Sequence, residues 1–425
     1  MSLSAALSTA VSGLTAQSRA LSAISENIAN SSTTAYKTTD VYFQALVSGG
    51  KGSSTSTSAV TAKSSQAMSV QGTVTSTSVA TNVAIQDAGF FVVTSDPAGA
   101  ASEDMYTRNG SFETNADGYL INTEGFYLMG WPTDAEGNVL ASNTNDLTGL
   151  SAINLSSIGG TAKATTEIEM SANVPADAAV GAALTTSMQM IDSLGVSHTV
   201  GQTWTKTADN TWELTLSDPV LTSDGTTQSG TINGGPYTVV FNTDGSLGSV
   251  TPALDFTVTG FSSGAADSAV SLDIGEVGGT DGVTQYASTS STIGLEDVQT
   301  EQDGALYGEL SGISIDSDGL VTANFDNGIS LAIYQIPIAT FSNPNGLTLV
   351  SGTTYDENSA AGQVHLNLPG EGGAGSLVAS ALEGSTTDIA TEFNKMIIAQ
   401  QAYSAASQVV SSASDMFDSL IQAVR

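Results

Sequence analysis

Cysteine is absent from the 425 residues. Structural disulfides, thiolate metal sites and thiol nucleophiles are therefore excluded. Positive charge is scarce: nine Lys and Arg stand against 42 Asp and Glu, giving a net charge of −33. Histidine occurs only at His198 and His365, far apart in sequence, so a His-based metal site or triad is not expected. The longest apolar stretch, around residues 331–341, is too short and too interrupted to span a membrane, and no membrane insertion is expected. The first residues lack early basic side chains, and Ser and Thr break up their apolar positions, which is unlike a cleaved signal peptide. If the protein leaves the cell, its export route must read an uncleaved N-terminus.

What is present points to a folded, multidomain chain. Hydrophobic residues make up 40%, enough for a core, and the length calls for two or more domains. Only 12% of residues are charged. That suits a surface covered by neighbouring molecules, and a surface rich in Ser, Thr and Gly would explain it equally well. The charge is also unevenly spread. Residues 1–86 carry +2 and residues 380–425 carry −3, which leaves −32 for the middle. An acidic middle has nothing to neutralise phosphates, which argues against nucleic acid as a partner and against docking on anionic lipid. Its plain physical consequence is solubility and mutual repulsion.

Both ends carry helical periodicity. Leu3, Leu7, Ala10, Leu14, Gln17, Leu21, Ile24 and Ile28 alternate three and four apart, which predicts a helix over residues 2–30, roughly 40 Å long. Near the other end, Ile389, Met396, Tyr403, Val410, Phe417 and Val424 recur every seven residues, with Phe393, Gln400, Ser407, Ser414 and Ile421 between them. This second helix is expected to begin near Thr387, with Ser385 or Thr386 as N-cap and Asp388 in its first turn. An isolated amphipathic helix is marginal in water. The two helices can therefore pair as a coiled coil within one chain, or order only on assembly.

Between them the pattern is β. Asn-Gly and Asp-Gly pairs recur, among them Asn109-Gly110, Asp117-Gly118, Asp244-Gly245, Asp318-Gly319 and Asn327-Gly328, and such pairs supply hairpin turns. Short apolar runs such as Phe90–Val93 and Tyr237–Phe241 alternate with them. The fold class expected is multidomain: mainly β middle domains with paired N- and C-terminal helices. The expected division is residues 1–35 with 380–425 as the helical part and 36–85 as an extended connector. An inner β domain takes 86–165 with 296–379, and an outer inserted β domain takes 166–295. The connector reading rests on a Ser/Thr/Gly tract between Gly49 and Ser78 with few large apolar residues.

Motifs that could carry chemistry are weak. Gly260-Phe261-Ser262-Ser263-Gly264 matches the nucleophile-elbow pattern, but no helix-period run follows it. Asp316-Ser317-Asp318-Gly319 starts like a calcium loop yet lacks the later oxygen ligands, and reads as a hairpin turn. No phosphate loop or dinucleotide fingerprint is present. No catalytic residue, metal site or cofactor is expected.

A specific resemblance lies at the ends. Ile28-Ala29-Asn30, followed by Ser31–Ala35 and Tyr36-Lys37, resembles the signature of the flagellar rod and hook axial protein family, with Ala35 where the family usually has glycine. Leu382-Glu383-Gly384-Ser385, Asp388, Glu392-Phe393, Met396-Ile397 and Gln400–Tyr403 resemble its closing helix. Arg108–Phe112 and Asp117–Leu120 resemble its first β domain. Asp192–Gly195 with His198-Thr199, Trp204 and Trp212, and Phe341–Leu347, resemble the hook members in particular. The resemblance implies a non-enzymatic subunit of a flexible helical tube, the hook, acting as a universal joint between rod and filament. It implies, as partners, other copies of the chain, the distal rod protein, the hook cap, the hook–filament junction proteins and the flagellar export apparatus. It also implies an extracellular location in the flagellum, after export without a cleaved signal. Seam residues such as Leu14, Leu21, Met396 and Phe417 are the expected polymerisation contacts. A distal rod subunit, or a secreted β-rich adhesin or surface-layer protein, is the alternative.

Overall fold

A computed structural model describes residues 3–48, 56–97, 104–134, 136–141, 147–156, 158–290 and 292–423. The chain is mainly β with one long helix toward each end. Helix α1 spans Leu3–Ala29, and helix α2 spans Ile389–Ala423. The N-cap of α2 differs from expectation. Asp388, not Ser385 or Thr386, caps it by accepting the Thr391 backbone N–H at 2.8 Å. Ser385 instead accepts the Thr387 N–H, and Thr386 accepts the Thr38 N–H. The helix therefore starts two residues later, where the Asp388 carboxylate meets otherwise unpaired N–H groups of the first turn.

The Ser/Thr/Gly tract expected to be a connector is largely strand. Strand β1 spans Thr39–Ser48 and strand β2 spans Ser56–Gln66, forming an antiparallel ribbon from Thr39↔Gln66 to Ser48↔Ser56. The part of the tract between them, 49–55, lies outside the described residues. Large side chains are not needed because α1 covers the ribbon: Ser12 Oγ accepts the Val60 N–H, and Arg19 donates to the Ala62 carbonyl. Valine and threonine, β-branched and at home on a pleated surface, supply the local preference.

Contacts divide the chain into two units with boundaries other than those expected. The first holds 1–157, 313–323 and 331–425, so the helices and the ribbon belong with the inner β structure. Its central sheet runs 330–335, 127–132, 91–94, 104–107, 354–356, 348–351 in hydrogen-bonded order. Phe90, Tyr106, Trp131, Phe341 and Tyr355 fill its core. Two edge-on aromatic contacts, Tyr106–Phe341 and Phe90–Phe341, lock that packing.

The second unit holds 158–312 and 324–330. It is wider than 166–295 because the ribbon pairing 161–163 with 305–308, and the strand 296–302 on 167–173, fold with it. Two six-stranded sheets enclose one core of Met188, Trp204, Trp212, Phe241 and Phe256 with their neighbours. Strand 197–208 shows why: its inward positions are buried at every second residue from His198 to Lys206. The two polar ends of that row are paired, Lys206 donating to the Ala176 and Ala178 carbonyls.

The turn pairs act in two ways. Gly118, Gly245, Gly319 and Gly328 take the left-handed conformation expected of hairpin turns. Gly110 does not; it is glycine because the Val83 carbonyl occupies the place of a Cβ.

Candidate assembly site at the paired termini

The family-signature segment is the place where the two ends of the chain meet. After α1 the chain reverses through Ala35, whose φ of 58° puts an L-residue in the left-handed region. Ala35 is fully buried, and its N–H donates to the Glu383 carbonyl at 2.8 Å. The position thus keeps the glycine-like conformation with a Cβ present.

Two residues on, Lys37 is buried beside a buried Glu383, with Nζ 2.7 Å from Oε1. The same ammonium donates to the Val70 carbonyl at 2.6 Å. Glu383 also receives Arg108 at 3.3 Å and the Gly72 N–H at 2.7 Å. Burial pushes the Lys37 ammonium pKa down, against the upward pull of Glu383. Burial likewise lowers Arg108. One carboxylate therefore holds two buried cations from distant parts of the chain.

A second knot ties the helices. The Asn27 amide donates to the Thr39 carbonyl and to Glu392, each at 3.0 Å. Its oxygen accepts the Tyr36 hydroxyl at 3.1 Å and the Thr39 N–H at 2.9 Å. All four capacities of a buried amide are filled. Burial raises the Tyr36 phenol pKa, keeping it a donor. Lys395 bridges Glu392 at 2.8 Å and Asp40 at 3.0 Å. Burial opposes its charge, but those two carboxylates outweigh it and hold its pKa above the ordinary lysine value. Asn27 was not legible as a site residue; its one sequence signal is a polar amide on the stripe occupied by Ala16, Ala20, Ala23 and Ile24. Ala29 is exposed and Asn30 half-buried, closing the helix by a side-chain bond to the Glu26 carbonyl.

The helices pack along each other. The side chains buried most deeply are mostly small: Ala16, Ala20, Ala23 and Ile24 on α1, and Glu392, Ala399 and Ala413 on α2. Of the residues expected in the seams, Ile24 is buried, while Leu7, Leu14, Leu21, Ile28, Met396 and Val410 are half-buried. Ile389, Phe393, Tyr403 and Phe417 are exposed. Val424 lies outside the described residues, as do the side chains of Leu3 and Ile421. Exposed apolar side chains line both flanks of the buried row on α2: Ile389, Phe393, Ile397 and Tyr403 on one side, Ile398, Val409 and Met416 on the other. A helix apolar around most of its circumference has more partners than one neighbouring helix supplies.

The motifs of the second unit have structural roles. Asp192 accepts His198 Nε2 at 3.0 Å and Ser263 Oγ at 2.5 Å, and His198 Nδ1 lies 2.7 Å from Ser229 Oγ. Asp192, His198 and Ser229 are buried and Ser263 is half-buried, so this row ties strand 197–208 to the loops that carry Ser229 and Ser263. Burial works against the Asp192 charge, yet the Ser263 and His198 bonds hold its pKa below the usual carboxylate range. The Gly260–Gly264 loop joins two strands and leads into no helix. In the first unit, Asp316 uses its carboxylate on the Asp318 and Leu320 N–H groups, as a hairpin turn does.

Comparison with known proteins covers most of the chain. Family models match residues 7–37 ("Flagella basal body rod protein") and 84–179 ("Flagellar hook protein FlgE/F/G D1 domain"). Others match 154–305 ("Flagellar basal body protein FlaE D2 domain") and 378–423 ("Flagellar basal body rod FlgEFG protein C-terminal"). The flagellar hook protein FlgE of Rhizobium meliloti is 32% identical over 100% of both chains. That of Caulobacter vibrioides is 28% identical, again over 100% of both. The crystal structure of Helicobacter pylori flagellar hook protein FlgE2 aligns with a TM-score of 0.47 at 14% identity, covering 73% of this chain and 100% of that one.

Proposed function

Because the chain belongs to the flagellar hook protein family, and is thus a structural subunit of the bacterial flagellar hook, we propose that it polymerises head to tail through its paired terminal helices. A contact between two different faces of one subunit does not close on itself and grows an open helical tube. The observation that carries this reading is the exposed apolar set on α2, eight large side chains from Ile389 to Phe417 gathered on one helix. The α1–α2 pair is a coiled coil in the assembled tube, and Leu3, Leu7, Leu14, Leu21, Ile28, Met396, Val410, Phe417, Ile421 and Val424 contribute to its seams and to contacts between copies.

The second unit, strongly acidic and rich in Ser and Thr, makes the weak contacts that slide when the tube bends. The hook then works as a universal joint passing torque from rod to filament, with no chemistry of its own. Its partners are the distal rod protein, the hook cap, the hook–filament junction proteins and the export apparatus that delivers the chain without a cleaved signal.

The test is electron microscopy of cells lacking the protein, with Leu21→Asp protein compared with the unsubstituted chain under polymerising conditions. Basal bodies without hooks, and loss of tubes with the β units still folded, are expected. Intact hooks in the deletion strain, or normal tubes from Leu21→Asp, overturn the reading.

A further inference from the structure

A cleft of about 260 Å³ opens where α1, β1 and α2 meet. Ala20, Ala23, Ile24, Phe43, Ile398 and Ala399 give it an apolar lining. Its polar lining is mostly spent: Lys395 is paired with Asp40 and Glu392, and Glu392 also takes the Asn27 amide. The volume is below the roughly 300–1,000 Å³ typical of small-molecule sites and suits one protruding side chain.

The same helix carries a protrusion on its other face. Phe393 is 51% exposed, flanked by Ile389 and Ile397, which are 47% and 53% exposed. At 3.6 residues per turn, Phe393 stands roughly 150° around α2 from the Lys395–Ile398 face that lines the cleft. A hole on one face and a knob on the opposite face cannot meet within one chain. They can meet between successive copies, and such a pair generates an open series rather than a closed dimer.

Charge selects the occupant. With −33 overall, copies of this chain repel one another, and −32 of that lies between residues 87 and 379. The segments that build the cleft and the knob carry +2 (residues 1–86) and −3 (residues 380–425). They are opposite in sign and nearly neutral together, so this is where a second copy approaches at least electrostatic cost. The knob face itself, Ile389, Phe393, Met396, Ile397, Gln400 and Tyr403, is uncharged.

The geometry points to a knob-in-hole joint in which Phe393 of one copy fills the Ala20–Ala23–Phe43–Ile398 cleft of the next. This rests on the polymerisation reading above and names the contact through which it acts.

The chain has no cysteine, so crosslinking has no background. One preparation carries Ile397→Cys, beside the knob, and a second carries Phe43→Cys, at the cleft. The two are copolymerised and oxidised. A disulfide-linked heterodimer of 397 with 43 is expected to exceed both homodimers, in polymer only. Separately, Phe393→Ala and the cleft-filling Ala23→Phe each raise the critical concentration for assembly about tenfold or more, while Phe393→Leu stays near the unsubstituted value. If tubes form with homodimers or no crosslink, and Phe393→Ala assembles normally, the joint is wrong and the hook reading stands. If the unsubstituted chain forms no tubes, both fall.

Discussion

Lys37 and Glu383, 346 positions apart, meet as an ion pair with both side chains fully buried, Nζ 2.7 Å from Oε1. Arg108 shares the same carboxylate from a third part of the chain. The pair closes the first unit where its two ends cross, so the fold of the helical region and that of the β sheet depend on one carboxylate.

Removing Glu383 leaves two buried cations without a counterion. Glu383→Ala should therefore cost about 3–5 kcal/mol of stability. The double change Lys37→Met with Glu383→Leu should cost less, because it strands Arg108 alone where Glu383→Ala strands Arg108 and Lys37 together. Denaturant unfolding of both variants checks this; equal losses would show that packing rather than charge sets the cost.

Ala35 holds a left-handed conformation in a buried site. Relief of the roughly 1–2 kcal/mol steric cost in Ala35→Gly is offset by chain entropy and lost contact. Its unfolding free energy should stay within about 1 kcal/mol of the parent. Ala35→Val adds branched bulk where none fits and should lose about 1–3 kcal/mol. A valine variant as stable as the parent would contradict the assigned geometry.

In the second unit Glu169 stands opposite Glu301 on one neighbouring strand and opposite Asp273 on the other. Like charges in register destabilise a sheet, by about 0.2–1 kcal/mol per pair. Glu169→Lys should raise the melting temperature of this unit, and the gain should shrink as salt screens the exposed row. Calorimetry at low and high salt tests both parts; a lower melting temperature at low salt would refute the argument.

Asp303 accepts the Thr166 N–H at 2.7 Å, the Glu167 N–H at 3.0 Å and the Thr166 hydroxyl at 2.6 Å, and pairs with Lys163 at 3.1 Å. Burial opposes its charge, but these donors hold its pKa well below the usual carboxylate range. A depressed folded pKa gives stability that is complete above the unfolded value, near 3.9, and is lost as pH falls through the folded one. Asp303→Asn should melt earlier than the parent at pH 7, and the gap should narrow between about pH 4 and pH 2. Thermal unfolding across that range decides it, and a constant gap would remove the carboxylate from the account.

Which parts were legible follows from the range of the interactions. Helical period, turn pairs and strand alternation act over a few residues, so the two helices and the β middle could be read from side-chain order alone. The ribbon of β1 and β2 could not, because its support is α1 lying across it, and Thr- and Ser-rich strands look like linker without that cover. The heptads marked large side chains, Phe393 and Tyr403 among them, but the row buried deepest is alanine-rich. Seven-residue spacing says that a stripe exists; which stripe goes inward depends on how closely two backbones approach.

By itself, the sequence determined the element types, the acidic middle, the absence of thiol chemistry and the family motif around Tyr36-Lys37. Only the tertiary structure decided that Lys37 and Glu383 share a dry site, that Asn27 fills all four of its hydrogen bonds, and that one face of α2 is hollow and the other protrudes. Those relations join residues hundreds of positions apart, and their energies exist only once water has been excluded between them.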